Sequence, residues 1–235
     1  MENLILRVEN LNVELNGEKI IENLSFNVRK GEILTILGPN GAGKTVLLRT
    51  LLGFLPYKGK ISWTKKLKIG YLPQGLTHLK VKGLPLSVEE FFKLKNSLKK
   101  EKILKFLQTV GIEKKSLFKK QIGDLSSGQF QRMLIAWVLI SRPEVLFFDE
   151  PTTGIDIRGE DTIYTLLYKF WAKEKLTILL VTHDLSVVYK YSTNVLCLSK
   201  KGFFCYGKPK EILTPKTLSK VYGMEIKFYQ HKSKL

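Results

Sequence analysis

Gly38, Pro39, Asn40, Gly41, Ala42, Gly43, Lys44 and Thr45 match the spacing G-x-x-x-x-G-K-[ST] in full. An apolar run at 32–37 precedes them and an apolar-periodic stretch at 44–53 follows. A chain with that context must end a buried strand where it begins a helix. Glycines let backbone N–H groups converge on an anion, and the helix N-terminus adds positive partial charge. The arrangement suits a nucleoside triphosphate. Lys44 is placed to reach the β- and γ-phosphates, and the Thr45 hydroxyl to ligate Mg²⁺.

The rest of the chain supplies matching elements. Residues 145–148 and 177–181 are short, apolar and β-branched or aromatic, as buried strands are. Helical patterns separate them, so the expected core is α/β with a parallel sheet. Weaker alternation at 4–8 and 20–28, and a hairpin over 195–206 turning at Lys201 and Gly202, give an antiparallel β edge. From about 76 to 140 the pattern is helical, and Ser87 with Glu90 has capping-box spacing. That stretch reads as a helical subdomain inserted in the α/β core. A single domain is expected over 1–213, followed by a polar, lysine-rich tail over 214–235.

Two further motifs carry chemistry. Asp149 and Glu150 end the run at 145–148, and adjacent carboxylates at a buried strand end are costly without a cation or water network. Asp149 is expected to hold Mg²⁺ and Glu150 to act as general base on the attacking water. Leu125, Ser126, Ser127, Gly128 and Gln129 open a helix over 129–141. A serine and a glycine there make either an ordinary N-cap or a second anion site. As an anion site it makes sense only facing the γ-phosphate held by another copy of the chain.

Together these motifs resemble the nucleotide-binding subunits of ABC transporters, over nearly the whole chain. The resemblance implies a P-loop NTPase fold, RecA-like in its sheet, and ATP with Mg²⁺ as cofactors. It implies that residues 125–129 are the signature and that Gln74, after Tyr71, Leu72 and Pro73, touches Mg²⁺ and couples to a membrane subunit. Gly154, Ile155 and Asp156 fall where the family's D-loop lies, and His183 matches the histidine that contacts the γ-phosphate. Ser126, Gly128 and Gln129 would meet the nucleotide of the second subunit. Three departures stand out. Ser127 replaces a glycine, and Leu15 falls where an aromatic usually stacks on adenine. Trp137 replaces a common arginine, which reads as a packing change. His78 and His231 match nothing and read as surface residues.

The segments 150–159, 182–188, 194–198 and 204–207 resemble the ATPases of zinc and manganese uptake systems. That implies an importer with a separate permease, an extracytoplasmic substrate-binding protein, and a second copy of this chain in an ATP sandwich. Pro85, Phe91 and Phe92 are candidates for a groove that receives a permease helix, with the subdomain core as the plainer reading. Another cargo, such as iron–siderophore, and an ATPase acting on nucleic acid or the ribosome are the alternatives.

Net charge is +18, carried almost wholly by lysine. Arginine usually does the bidentate reading of bases, and no aromatic-interleaved basic stripe appears. A solvated surface near anionic lipid fits better than a specific nucleic-acid footprint. Apolar runs such as 133–140 are far shorter than the ~20 residues of a membrane span, and the N-terminus lacks a leader pattern. The chain is therefore expected at the cytoplasmic face of the membrane, held peripherally by its permease. The two cysteines, Cys197 and Cys205, are too few and wrongly spaced for a metal knuckle, and are expected to be reduced and structural.

Overall fold

Asn16 and Gly17 set the first feature of the fold, because both take positive φ, 51° and 81°. That pair is the signature of a two-residue hairpin turn whose twist matches the strands it joins. It connects β1 (Leu4–Leu15) to β2 (Glu18–Arg29), far longer strands than the weak alternation foretold. β4 (Lys58–Trp63), which the sequence reading did not anticipate, joins the other side of β1 to give an antiparallel sheet ordered β2-β1-β4.

The computed structural model describes residues 3–75, 84–95, 98–112, 115–151 and 157–223. His78, His231 and the segment 154–156 lie outside them. The chain divides into two compact units, Met1–Lys66 with Leu179–Leu235, and Leu67–Ile178. Among the described residues no helix is long and apolar enough to cross a membrane.

The first unit holds the antiparallel sheet and the wholly buried strand β3 (Ile33–Leu37), which leads into α1 (Lys44–Leu51). β8 (Asn194–Leu198) runs parallel to β3 with Leu37 opposite Cys197, and β9 (Phe204–Gly207) returns antiparallel to β8. α6 (Leu185–Tyr191), α7 (Pro209–Ile212) and α8 (Pro215–Tyr222) complete it.

α8 lies within the lysine-rich stretch that begins at 214. Thr214 Oγ1 accepts from Thr217 N at 3.2 Å, Pro215 occupies the first helical position, and Gly223 stops the helix at φ 72°. Leu218 and Val221 are buried against Leu37, Val195 and Cys197. Their i, i+3 spacing and the Thr-Pro and Gly signals were present in the sequence, masked by the surrounding lysines.

In the second unit β5 (Ile69–Leu72) lies parallel to β6 (Val145–Asp149), with Leu72 opposite Phe148. β7 (Thr177–Val181) starts beside β6, where Thr177 N donates to Glu144 O at 3.1 Å. α2 (Val88–Lys93) begins at the expected capping box, with Ser87 and Glu90 each bonded to the other's backbone. α3 (Lys100–Thr109) buries Ile103 and Leu107, and α5 (Ile157–Glu174) precedes β7. α4 (Ser127–Leu139) starts and ends two residues earlier than the pattern at 129–141 suggested, because Ser126 caps it.

The aromatics of α2 divide. Phe92 is 0% exposed and belongs to the core, so it cannot line a groove. Phe91 is half-buried and packs on Trp137 of α4, ring centroids 5.3 Å apart. The Lys95 ammonium sits 3.7 Å from the centre of the same indole and donates to Ser141 Oγ at 2.7 Å and to the Trp137 carbonyl. Trp137 thus helps fix the end of α2 to the end of α4, the packing role expected of it.

Candidate functional site

The glycine loop at 38–45 is built in the first unit by two close constraints. Gly38 has no room for a side chain, since a Cβ there would lie 2.2 Å from the Leu198 carbonyl oxygen of β8. Gly43 caps α1 at φ 88°, a conformation L side chains rarely adopt. Among the described residues no side chain caps α1, and its first turn has no acidic residue. A helix start with neither a side-chain cap nor an acidic first turn suits an anion. The Lys44 side chain is buried and folds back along the loop, donating to Gly38 O at 2.9 Å and Pro39 O at 3.1 Å. Asn40 and Gly41 are exposed at the loop's crest, Ala42 is buried, and Thr45 is half-buried in the first turn of α1.

His183 belongs to the same unit. Thr182 N donates to Ile36 O at 3.4 Å, so β7 ends beside the strand that leads into the loop. Asp184 then caps α6, accepting from Ser186 N at 2.7 Å. His183 is exposed between that contact and that cap.

The second unit brings two candidates together. Because β5 and β6 are parallel with Leu72 opposite Phe148, the residues two beyond each fall side by side. Gln74 Nε2 donates to Glu150 Oε2 at 2.9 Å. Glu150 has φ 46°, a backbone state that costs a non-glycine residue on the order of 1–2 kcal/mol. Asp149, the last residue of β6, is 1% exposed. A carboxylate that deep suits a divalent cation.

The helix start at Ser126 is a reciprocal cap. Ser126 Oγ accepts from Gln129 N at 3.3 Å, and Gln129 Oε1 accepts from Ser126 N at 3.1 Å. Ser126 is exposed, and its hydroxyl keeps a donor beyond the bond it accepts in the cap. Ser127 sits in helical backbone, which serine tolerates. Gly128 is different from Gly38: beyond its own helix backbone and chain neighbours, no described atom lies within 4 Å of where its Cβ would be. Glycine weakens a helix by up to about 1 kcal/mol relative to alanine, and nothing described in this chain requires it there.

Leu15 ends β1 half-buried beside the hairpin turn. A cavity of about 320 Å³ in the same unit is lined by Val13, Ile21, Pro56 and Tyr57 among others, but not by Leu15 or the glycine loop.

The ABC transporter family profile matches residues 21–153, more than half of the 235. The chain belongs to the ABC transporter family. This ABC chain is 38% identical over 224 residues to the zinc import ATP-binding protein ZnuC of Wigglesworthia glossinidia brevipalpis, covering 95% of this chain and 94% of that one. Among solved structures it superposes on a metal-chelate type ABC transporter in an inward-facing conformation with TM-score 0.80 and 29% identity, over 93% of this chain and 89% of the other. It also superposes on cbiO1 of Clostridium perfringens, part of the ABC transporter complex cbiONQ, with TM-score 0.77 and 30% identity, over 93% and 94% of the two chains. The α/β fold expected of an ABC nucleotide-binding subunit is the fold observed.

Proposed function

We propose that this chain is the ATP-binding and ATP-hydrolysing subunit of an ABC importer that energises zinc uptake through a separate membrane permease. The observation that carries the ATPase reading is the uncapped N-terminus of α1 beneath the glycine loop, with a buried lysine at its first position. Backbone N–H groups of the glycine loop and the first turn of α1, Pro39 having none to give, receive the phosphates, and Lys44 leaves the loop carbonyls to pair with the β- and γ-phosphates.

In the second unit, Asp149 and Gln74 are the residues that would hold Mg²⁺. When bound, it neutralises charge on the β- and γ-oxygens. Glu150 accepts a proton from the attacking water, with Gln74 orienting its carboxylate. His183 contacts the γ-phosphate.

Gly128 supports a second copy as partner. An open Cβ direction at a helix start, next to an exposed serine, fits close approach by a group from outside the chain. Two copies related by a two-fold axis present each phosphate loop to the other's Ser126 and Gly128. Hydrolysis then removes the bridging γ-phosphate and the halves part, a motion that a permease converts into alternating access. The chain is held at the cytoplasmic face of the membrane by that permease, with an extracytoplasmic substrate-binding protein in the wider complex.

The cargo rests on the likeness to a protein named for zinc import. A strain lacking this chain is grown with a divalent-metal chelator. Growth fails under chelation and returns with added zinc, but not with manganese or iron–siderophore. Return with manganese alone moves the cargo to manganese. Full growth in chelator with a defect on another nutrient removes the metal assignment and leaves the ATPase standing.

A further inference from the structure

Cys197 and Cys205 are directly opposite each other on the antiparallel strands β8 and β9. Ser199 N donates to Phe203 O at 2.9 Å in the same ladder. The opposing pair two residues along, Cys197 with Cys205, therefore occupies the hydrogen-bonded kind of position, where Cα atoms are about 5.5 Å apart. That separation lies inside the range a disulfide spans. Both thiols are free, and they are the only cysteines of the chain.

The two thiols are not equivalent. Cys197 is 0% exposed, walled in by Leu37, Val188, Val195 and Leu218. Cys205 is half-buried on β9, the edge strand. The Cys197 thiol donates a hydrogen bond to Cys205, which raises Cys197 well above the ordinary thiol range, as does its burial. The same bond lowers Cys205. The reachable sulfur is also the one with more thiolate character, and the enclosed sulfur is held against it.

Cys197 touches the phosphate loop's own strand as well. Its partner across the parallel ladder is Leu37, the residue before Gly38. The next residue of β8, Leu198, puts its carbonyl oxygen where a Gly38 Cβ would be. On its other side β9 is tied down, since the Tyr206 hydroxyl donates to Asn27 O at 2.6 Å.

We propose that Cys197 and Cys205 are an oxidation site that closes to an intrachain disulfide under peroxide, and that closure weakens nucleotide binding at the adjoining loop. The second half rests on the phosphate-binding reading above. The Cys205 thiolate attacks a peroxide oxygen, the O–O bond breaks, and hydroxide leaves to give the sulfenic acid. Cys197 sulfur then attacks Cys205 sulfur, forming the S–S bond, and the expelled hydroxide takes the thiol proton as water. Overall, two thiols and one peroxide become one disulfide and two waters; the sulfurs are oxidised and the peroxide oxygens reduced. Cβ atoms opposite each other in a ladder lie up to about 5.5 Å apart, whereas a disulfide holds them near 3.8 Å. Closing the bond draws the strands together by roughly 1–2 Å. With β9 anchored at Tyr206, part of that strain falls on Cys197, Leu37 and the packing of Leu198 on Gly38.

The test treats the purified full chain with hydrogen peroxide, alkylates it with a maleimide under denaturing conditions, and reads intact mass. The reduced chain takes two maleimides, the peroxide-treated chain none, and a thiol reductant restores both. A treated chain that keeps both thiols alkylatable, carries a sulfinic acid at Cys205, or links to a second chain overturns the disulfide. ATP affinity is then measured on the reduced and oxidised forms. The oxidised form binds at least about fivefold more weakly, the lower end of typical coupling between sites, and Cys205→Ala loses this peroxide sensitivity. Equal affinities with the disulfide fully formed overturn the coupling. A reduced chain that binds no ATP contradicts the phosphate reading instead, and leaves the disulfide result intact.

Discussion

Gln74 Nε2 donates to Glu150 Oε2 across 2.9 Å, joining residues that are 76 positions apart in sequence. The parallel register of β5 on β6 produces this contact, so it is a property of the sheet rather than of a loop's chance conformation. If Gln74 orients the base, Gln74→Ala lowers the turnover number about tenfold, since a hydrogen bond to a charged group is worth about 1.5–3 kcal/mol. Unchanged turnover would show that Glu150 is oriented by other groups.

Lys44→Ala costs binding as well as turnover. The lysine is buried in the loop, and its ammonium is organised by the Gly38 and Pro39 carbonyls. Charge-assisted contacts to phosphate are worth about twice a neutral hydrogen bond, so ATP affinity falls about tenfold or more. Calorimetry giving wild-type affinity would remove the loop from the nucleotide site.

Gly128→Leu separates folding from assembly. A Cβ at this position meets nothing within 4 Å beyond its own helix backbone and chain neighbours, and leucine favours a helix over glycine by about 1 kcal/mol at most, so Tm holds or rises. If each Gly128 admits the nucleotide bound by the other copy, hydrolysis nonetheless falls at least about tenfold. Equal hydrolysis in the variant would count against the two-copy arrangement.

The glycine turn from β3 into α1, the strand end at Asp149, and the Ser87 and Ser126 caps were legible because short-range chemistry dictates each of them. Strand β4 was not legible: its residues are half exposed, and what holds it is pairing with β1 across a long stretch of sequence. The Asn16-Gly17 turn was legible but overlooked, and with it the length of the first two strands. The Gln74–Glu150 contact depends on register between strands more than 70 residues apart, which periodicity does not encode. The same holds for the Cys197–Cys205 pair, whose opposition follows from the length of the Lys201–Gly202 turn region as folded.

Lys95 makes stability depend on pH at the junction of α2 and α4. Burial first, and the Lys68 ammonium second, push it down from 10.5 to about 8. Between those values the unfolded chain binds a proton that the folded chain has released, so this group adds stability as pH rises. Lys95→Met lacks the titration. The gap in Tm, wild type minus variant, therefore moves in favour of the wild type from pH 8 to pH 10 (an interval set by the two values). A gap that is constant across that range, or that moves toward the variant, contradicts the burial of this ammonium.

Steady-state ATP hydrolysis by Glu150→Gln, set beside the wild-type chain, tests the central claim most directly. The amide keeps the shape of the side chain and can still meet Gln74, but it cannot take a proton from water. The account predicts that hydrolysis falls at least ~100-fold, the usual scale of general-base catalysis. ATP binding persists, and light scattering shows an ATP-dependent dimer that outlasts the wild type's. A variant that hydrolyses ATP at the wild-type rate would contradict the account, because the carboxylate at the end of β6 would then have no part in the chemistry.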